Sequence, residues 1–183
     1  MGKVFQFCVF WYNRAVVLQV ISFRDRFALP AALDGAGRID GKVAPLEARR
    51  MDAYALVYLT AGGGFFRDPA GERDVAAGDL LLLFPDLVHG YGPRSGGTWS
   101  ERFLVFHGPV FAQLETDGIL DRRQGVWHLG GDPLWREAFD DLAGRFHAPA
   151  IDQAWCVARI HLLIVEAARR AAHRDGDFIA AAS

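Results

Sequence analysis

Cysteine is almost missing from this sequence: Cys8 and Cys156 are the only two among 183 residues, with no motif between them. No disulfide framework or paired-cysteine zinc site is expected, and two reduced thiols fit a cytoplasmic protein. An excess of positive charge is missing as well. Lys and Arg number 20 against 22 Asp and Glu, a net charge of −2, so the chain as a whole is not basic, whereas a self-sufficient DNA-binding domain usually shows a basic patch or stripe. The pairs Arg49-Arg50, Arg122-Arg123 and Arg169-Arg170 read as solvated or ion-paired surface clusters. Nor is there a run long enough to cross a membrane. Val4 to Tyr12 is nearly all apolar, but a bilayer takes roughly 20 residues. Only Lys3 precedes that run and no small-residue cleavage site follows it, so it fits a buried edge strand or packed arm better than a signal peptide. The six histidines are His89, His107, His128, His147, His161 and His173, and no two of them stand two positions apart. A nucleophile elbow, a phosphate loop, repeats and low-complexity tracts do not occur either.

What is there suits one domain with an appendage, long enough to bury a core: 51% of residues are apolar and 23% charged. Ala15–Phe23 is strand-like, and a Gly/Ala/Pro-containing connection leads on to about Leu46. From Tyr54 the pattern turns strongly β. Tyr54, Leu56, Tyr58 and Thr60 fall on one face, with Ala55, Val57 and Leu59 on the other. Gly62-Gly63-Gly64 reads as a turn or bulge that lets a barrel strand bend. Asp68-Pro69-Ala70-Gly71 is a four-residue turn between Phe65–Arg67 and Glu72–Val75. Trp99–His107 alternates again, with Trp99, Glu101, Phe103 and Val105 against Ser100, Arg102, Leu104 and Phe106.

After Gly130-Gly131 the period changes. Asp132-Pro133 is an N-cap followed by proline at the first helical position, and Leu134/Trp135, Ala138/Phe139, Leu142 and Phe146 form a stripe. Pro149 separates this helix from a longer one, Asp152 to Arg174, that Gly176 is expected to stop. The second helix is apolar nearly all round its middle, through Trp155, Val157, Ala158, Ile160, Leu162, Leu163, Ile164 and Val165. Two accounts stand open, a helix sandwiched within its own domain and a dimer seam.

The most informative stretch is Gly78 to Pro93. A Gly-Asp turn opens the apolar strand Leu80–Phe84, Pro85 ends it, and a short segment presents His89 and Tyr91 before a second turn. This resembles the second signature of a cupin barrel. In that superfamily the first signature carries a metal-binding His-x-His pair and a downstream Glu, but the corresponding stretch here, Gly62 to Ala77, holds no histidine. Further pieces are Tyr54–Gly62, Trp99–Phe106 and Ile160-His-Leu-Leu-Ile-Val-Glu-Ala-Ala-Arg-Arg170. In order and spacing, over most of residues 46–172, they resemble the N-terminal effector-binding domain of AraC-family transcriptional regulators.

The resemblance implies a mainly β protein with C-terminal helices, in which a cupin-like double-stranded β-helix or jelly-roll barrel precedes a two-helix dimerisation element. It divides the chain into an effector-binding barrel with an N-terminal arm (1–130), a helical pair for dimerisation (131–176) and a tail (177–183). It also implies a C-terminal unit with two helix-turn-helix motifs. No segment here corresponds to it, so DNA is expected to be reached only through such a domain, absent from this chain. By the same resemblance, the tyrosine after the His element reaches the effector, which is Tyr91. The following strand gives a polar and an aromatic contact, which fall on Glu101 and Phe103, where the sugar-binding member has histidine and tryptophan. An arginine before the first core strand also touches that effector, and Arg49 is the nearest candidate.

The residues themselves agree in part. Glu101 shares a strand face with Trp99 and Phe103, so it needs a partner if buried, or else it marks an exposed rim. His89 at a strand end fits a backbone-bonded or pocket-lining histidine, and a metal site would need three or four converging ligands, with His107 the one histidine placed to approach it. The leading reading is an effector-sensing, dimerising domain of an AraC-type regulator. It is cytoplasmic, without catalysis, metal, cofactor or membrane partner. Its partners would be a small effector (a sugar or aromatic compound) held by Tyr91, Glu101, Phe103, Trp99, His89 and Arg49, and a second copy met through Leu162 and Leu163. The alternative is a small metal-dependent cupin enzyme, an isomerase or dioxygenase.

Overall fold

The computed structural model describes residues 30–181, with side chains as far as residue 173. Cys8, the apolar run Val4–Tyr12 and the strand-like Ala15–Phe23 lie outside the described residues. The described part holds eight strands and three α-helices. These are β1 (Ala32–Lys42), β2 (Leu46–Arg49), β3 (Tyr54–Asp68), β4 (Gly71–Ala76), β5 (Asp79–Leu83), β6 (His89–Gly92), β7 (Trp99–His107), α1 (Pro109–Thr116), β8 (Val126–His128), α2 (Pro133–Phe146) and α3 (Gln153–Ala181).

The 15-residue strand β3 belongs to two antiparallel sheets. Its first half lies between β7 and β5 in the order β1-β7-β3-β5-β8, and its second half pairs with β4 and β6, β6 in turn pairing with β2. The bend between the halves falls at the three glycines, beside a register shift between Leu59 and Ala61. Gly62 has φ +77°, and a Cβ there would meet the carbonyl of Thr98; one on Gly64 would meet the carbonyl oxygen of Gly92. Only glycine allows the strand to turn with its neighbours this close. The predicted turn at 68–71 closes the β3–β4 hairpin, with Asp68 opposite Gly71 and the Ala70 N–H donating to Asp68 Oδ1.

Both faces of the first sheet are buried, each against a different core. Ala55, Val57, Leu59, Leu81, Leu83, Trp99, Phe103 and Val105 meet Phe66, Val75 and Tyr91 of the second sheet inside the barrel. Tyr54, Leu56, Tyr58, Leu80, Leu82, Phe84, Leu104 and Phe106 point outward and pack under the helices, against residues such as Phe139, Leu142, Ile160, Leu163 and Ile164. Each leucine so buried contributes roughly 1.5–3 kcal/mol relative to exposure. Polar clamps fix the helices on this outer face. Arg102 donates to Asp140 of α2 at 2.8 Å and to Asp40 at 3.0 Å, and Gln153 at the start of α3 bonds both backbone groups of Leu33. Arg122 and Arg123 pair with Glu115 and Asp121, as expected of solvated ion-paired clusters.

The structure corrects several expectations. The connection before Leu46 contains β1, an 11-residue strand paired along β7 from Ala32↔His107 to Lys42↔Trp99. Its glycines and aspartates are poor strand formers, so the pairing, not propensity, holds it extended. The short elements α1 and β8 were also unforeseen; α1 lies between β7 and β8, and the two expected helices follow the last strand. Asp132 does cap α2, accepting from the Leu134 N–H; Leu134 itself, placed in the buried stripe, is 69% exposed. Gly176 does not stop α3, which runs on to Ala181 where a tail was expected; a glycine inside a helix costs about 1 kcal/mol against alanine without forbidding the conformation. Leu162 and Leu163 part company: Leu162 is 46% exposed, while Leu163 is 1% exposed in the core beneath the helices. Neighbours in a helix point about 100° apart, so Leu163 is unavailable as the centre of a seam.

Gly64→Ala should lower the urea midpoint with little change in slope, by roughly 1–3 kcal/mol of overpacking at the bend. An unchanged midpoint would show that the close approach to Gly92 is not required.

Candidate functional site

The alternation of β7 sends Trp99, Glu101, Phe103 and Val105 into the barrel, as the sequence pattern predicted. β6 brings Tyr91 in from the opposite sheet, its ring stacked on Trp99 at 5.8 Å between centroids and 19° between planes. Glu101 is 1% exposed, so it is a buried carboxylate and not a rim residue. It needs compensation, and it has two partners. Trp99 Nε1 donates to Glu101 Oε2 at 2.6 Å, and Lys42 Nζ lies 3.4 Å from the same oxygen.

Lys42 is a member of this cluster that sequence reasoning missed. It ends β1, opposite Trp99 across a register irregularity. From there its ammonium stands 4.3 Å from the Tyr91 ring centroid and 5.2 Å from that of Trp99. Attraction of a cation to these π faces adds to its pairing with Glu101. Burial pulls the Lys42 pKa below its usual 10.5, against the raising pull of Glu101. Burial and then Glu101 push the Tyr91 phenol upward, keeping it neutral. No local sequence signal marks Lys42, because its strand reads as a loop until β7 is there to pair with it.

His89 lies beside Tyr91, ring on ring at 6.3 Å. Its Nδ1 donates to the Leu87 carbonyl at 3.1 Å and its Nε2 accepts from Arg49 Nε at 3.3 Å, an arrangement that needs the neutral ring. Arg49 pairs with His89 across β2 and β6. The six residues named from the sequence thus form one chain of neighbours: Arg49, His89, Tyr91, Trp99 and Glu101 in successive contact, with Phe103 in the same interior cluster. His107 has a different partner, Asp34, at 2.7 Å. Among the described residues no group of three or more His, Cys, Asp or Glu side chains is placed to hold a metal ion.

Two surface clefts flank this interior. One of about 180 Å³ is lined by Ala48, Arg67, Asp68, His89 and Gly90. The other, open and about 530 Å³, lies between Val43–Pro45, which directly follow Lys42, and Phe65 with Pro93–Gly96. The interior itself is filled by its own side chains, with Tyr91, Trp99, Glu101 and Phe103 all under a tenth exposed.

Residues 46–155 match the family model described as the AraC-like ligand binding domain. No match is found among curated proteins. Among solved structures, YhaK from Escherichia coli is 19% identical over 52% of this chain and 45% of its own, with a TM-score of 0.38. ToxT from Vibrio cholerae, bound to (E)-4-(8-methylnaphthalen-1-yl)but-3-enoic acid, is 7% identical over 77% of this chain and 56% of its own, with a TM-score of 0.47. A mutant of the oxalate decarboxylase OxdC of Bacillus subtilis is 18% identical over 44% of this chain and 26% of its own, with a TM-score of 0.30. The chain spans about half the length of the first two, 45% and 56%.

Desolvation and then Arg49 hold the His89 pKa below its ordinary 6.5, only partly opposed by the bond to Leu87. Between that lowered value and 6.5 the unfolded chain binds more protons than the folded one, so stability falls as pH falls through the window. Thermal melts at about pH 7.5 and about pH 5 should show this loss, and His89→Gln should shrink it. An equal loss in both proteins would assign it elsewhere.

Proposed function

Given that the chain belongs to the family of AraC-like ligand-binding domains, we propose that it is the sensing part of an AraC-type transcriptional regulator. In this reading the barrel interior receives a small effector, a sugar or aromatic compound, between Tyr91, Trp99, Glu101 and Phe103, with His89 and Arg49 at the approach. The observation that carries the reading is the convergence of β6 and β7 on one buried carboxylate framed by aromatic rings. Aromatic faces accept the apolar side of such a ligand, while the few polar groups set its orientation.

The reading includes no catalysis. A metal-dependent cupin enzyme needs three or four ligands converging on one point. Here His89 is engaged with Arg49 and Leu87, and His107 with Asp34, which favours a sensor over an isomerase or dioxygenase. The regulator works in the cytoplasm, and the operator is bound through a helix-turn-helix unit rather than through this barrel. Among the described residues no helix is long and apolar enough to cross a membrane.

Dimerisation belongs to the same proposal, through the outer face of α3 (within the helical pair 131–176). Ala154, Ala158 and Leu162 are exposed and four residues apart, so they share one face of the helix. An isologous contact between two copies covers this stripe with one self-complementary surface.

A thermal-shift screen of sugars and aromatic compounds should yield a ligand whose effect on the melting temperature is abolished by Tyr91→Ala or Phe103→Ala while the fold is kept. A bound structure with the ligand far from these side chains would refute the site. Light scattering at tens of micromolar should report a dimer, and Leu162→Glu a monomer, whereas Leu163→Glu should instead cost core stability. A dimer that survives Leu162→Glu would place the seam elsewhere.

A further inference from the structure

One side chain packed against the Tyr91, Trp99 and Glu101 cluster is a cation of the protein's own. Lys42 reaches in from the end of β1 and sets its ammonium against the faces of Tyr91 and Trp99, with Glu101 as counter-charge. The carboxylate is the fixed half of this pair, because the Trp99 indole N–H holds it at 2.6 Å in a fully buried position. The lysine is the movable half. It hangs on a four-carbon stem with 13% of its side chain exposed, at an irregular strand end just after Gly41 (φ +68°). Beyond it lie the exposed residues Val43–Pro45, which wall the larger open cleft.

We propose that Lys42 is a tethered stand-in for the effector, and that the box of Tyr91, Trp99 and Glu101 is built to receive the ammonium group of an organic amine that displaces it. This rests on the reading of the barrel interior as the effector site. The argument is one of charge and shape. Withdrawing Lys42 leaves an ammonium-sized space lined by two π faces and one anchored carboxylate, which is the environment a cation prefers. An incoming amine restores the charge balance that Lys42 supplied. A carboxylate ligand entering the same space would meet Glu101 and two electron-rich ring faces, and would leave the buried Glu101 charge uncompensated. A neutral sugar could donate hydroxyl hydrogen bonds to Glu101 but would bring no charge to replace the ammonium. Lys42 is well suited to yield, since its own burial disfavours its charge, and a lysine stem readily carries its head out to solvent. Occupancy of the box and the position of the Gly41–Pro45 segment are thereby coupled: one ammonium in, the other out.

The test compares the whole chain with Lys42→Ala, and with Lys42→Met as the variant that keeps the packing of the stem. The probes are benzylamine, benzyl alcohol and benzoate, which share a ring and differ in charge, and tetramethylammonium as a bare cation. Binding is read by calorimetry and by the NMR signal of the Trp99 indole N–H. Both Lys42 variants should bind benzylamine and tetramethylammonium at least about tenfold more tightly than the unmodified chain, with the Trp99 signal shifting. The gain should vanish when Glu101→Gln is added, and benzoate should bind none of these proteins at Trp99. Two results would overturn the inference while leaving the effector site standing. One is benzoate or benzyl alcohol shifting Trp99 of the unmodified chain more tightly than the amines. The other is a sugar from the thermal-shift screen moving Trp99 while the amines move it in no variant. If folded Lys42 variants respond at Trp99 to no amine, alcohol, acid or sugar, the ammonium box and the effector site fall together.

Discussion

One strand must serve two sheets for this molecule to exist in its present form. β3 leaves the first sheet and enters the second through Gly62–Gly64, where neighbouring carbonyls approach too closely for any side chain. The bend creates an inside and an outside. Residues of odd number on the first half of β3 then face the interior, and those of even number face the helices. With both faces buried, a one-residue slip of register would exchange two entire hydrophobic sets. The register is accordingly well determined, and with it the identity of every side chain that can reach the chamber.

Electrostatics inside the chamber follow from that enclosure. A carboxylate taken out of water has to be met by donors or cations, and Glu101 meets both within its own barrel. The same enclosure favours a neutral His89. At the outer surface the rule is different. Pairs such as Arg67–Glu72 and Arg94–Asp74 are open to water and contribute little individually. The chemistry that distinguishes this barrel is therefore concentrated in a few buried groups, and the numerous surface ion pairs leave it unaffected.

Strong local patterns carried most of the architecture into plain view. The alternation of Tyr54–Thr60 and of Trp99–His107 located the two central strands and sorted their faces, since period two admits only one pairing of faces with cores. The Asp132-Pro133 cap located α2 for an equally local reason. What stayed hidden depends on distant partners. β1, with its glycines and aspartates, is a strand only because β7 lies along it, and overlooking β1 meant overlooking Lys42. α1 has only eight residues and its N-cap Gly108 supplies no side-chain hydrogen bond, so the Gly-Pro pair at its start read as readily as a turn. The split between Leu162 and Leu163 is set by where α3 rests on the sheet, which composition alone does not specify.

The neighbours Glu101 and Arg102 occupy opposite sides of β7. Glu101 faces the chamber and Arg102 grips Asp140 of α2 and Asp40 of β1. A twist of this strand that reorients the one has to reorient the other, because a strand's side chains alternate on a single rigid ribbon. Chamber and helical layer are thus separated by the thickness of one peptide unit. A rocking plank needs no wiring between its two sides, and β7 has the geometry of such a plank, with the chamber under one foot and the helices under the other.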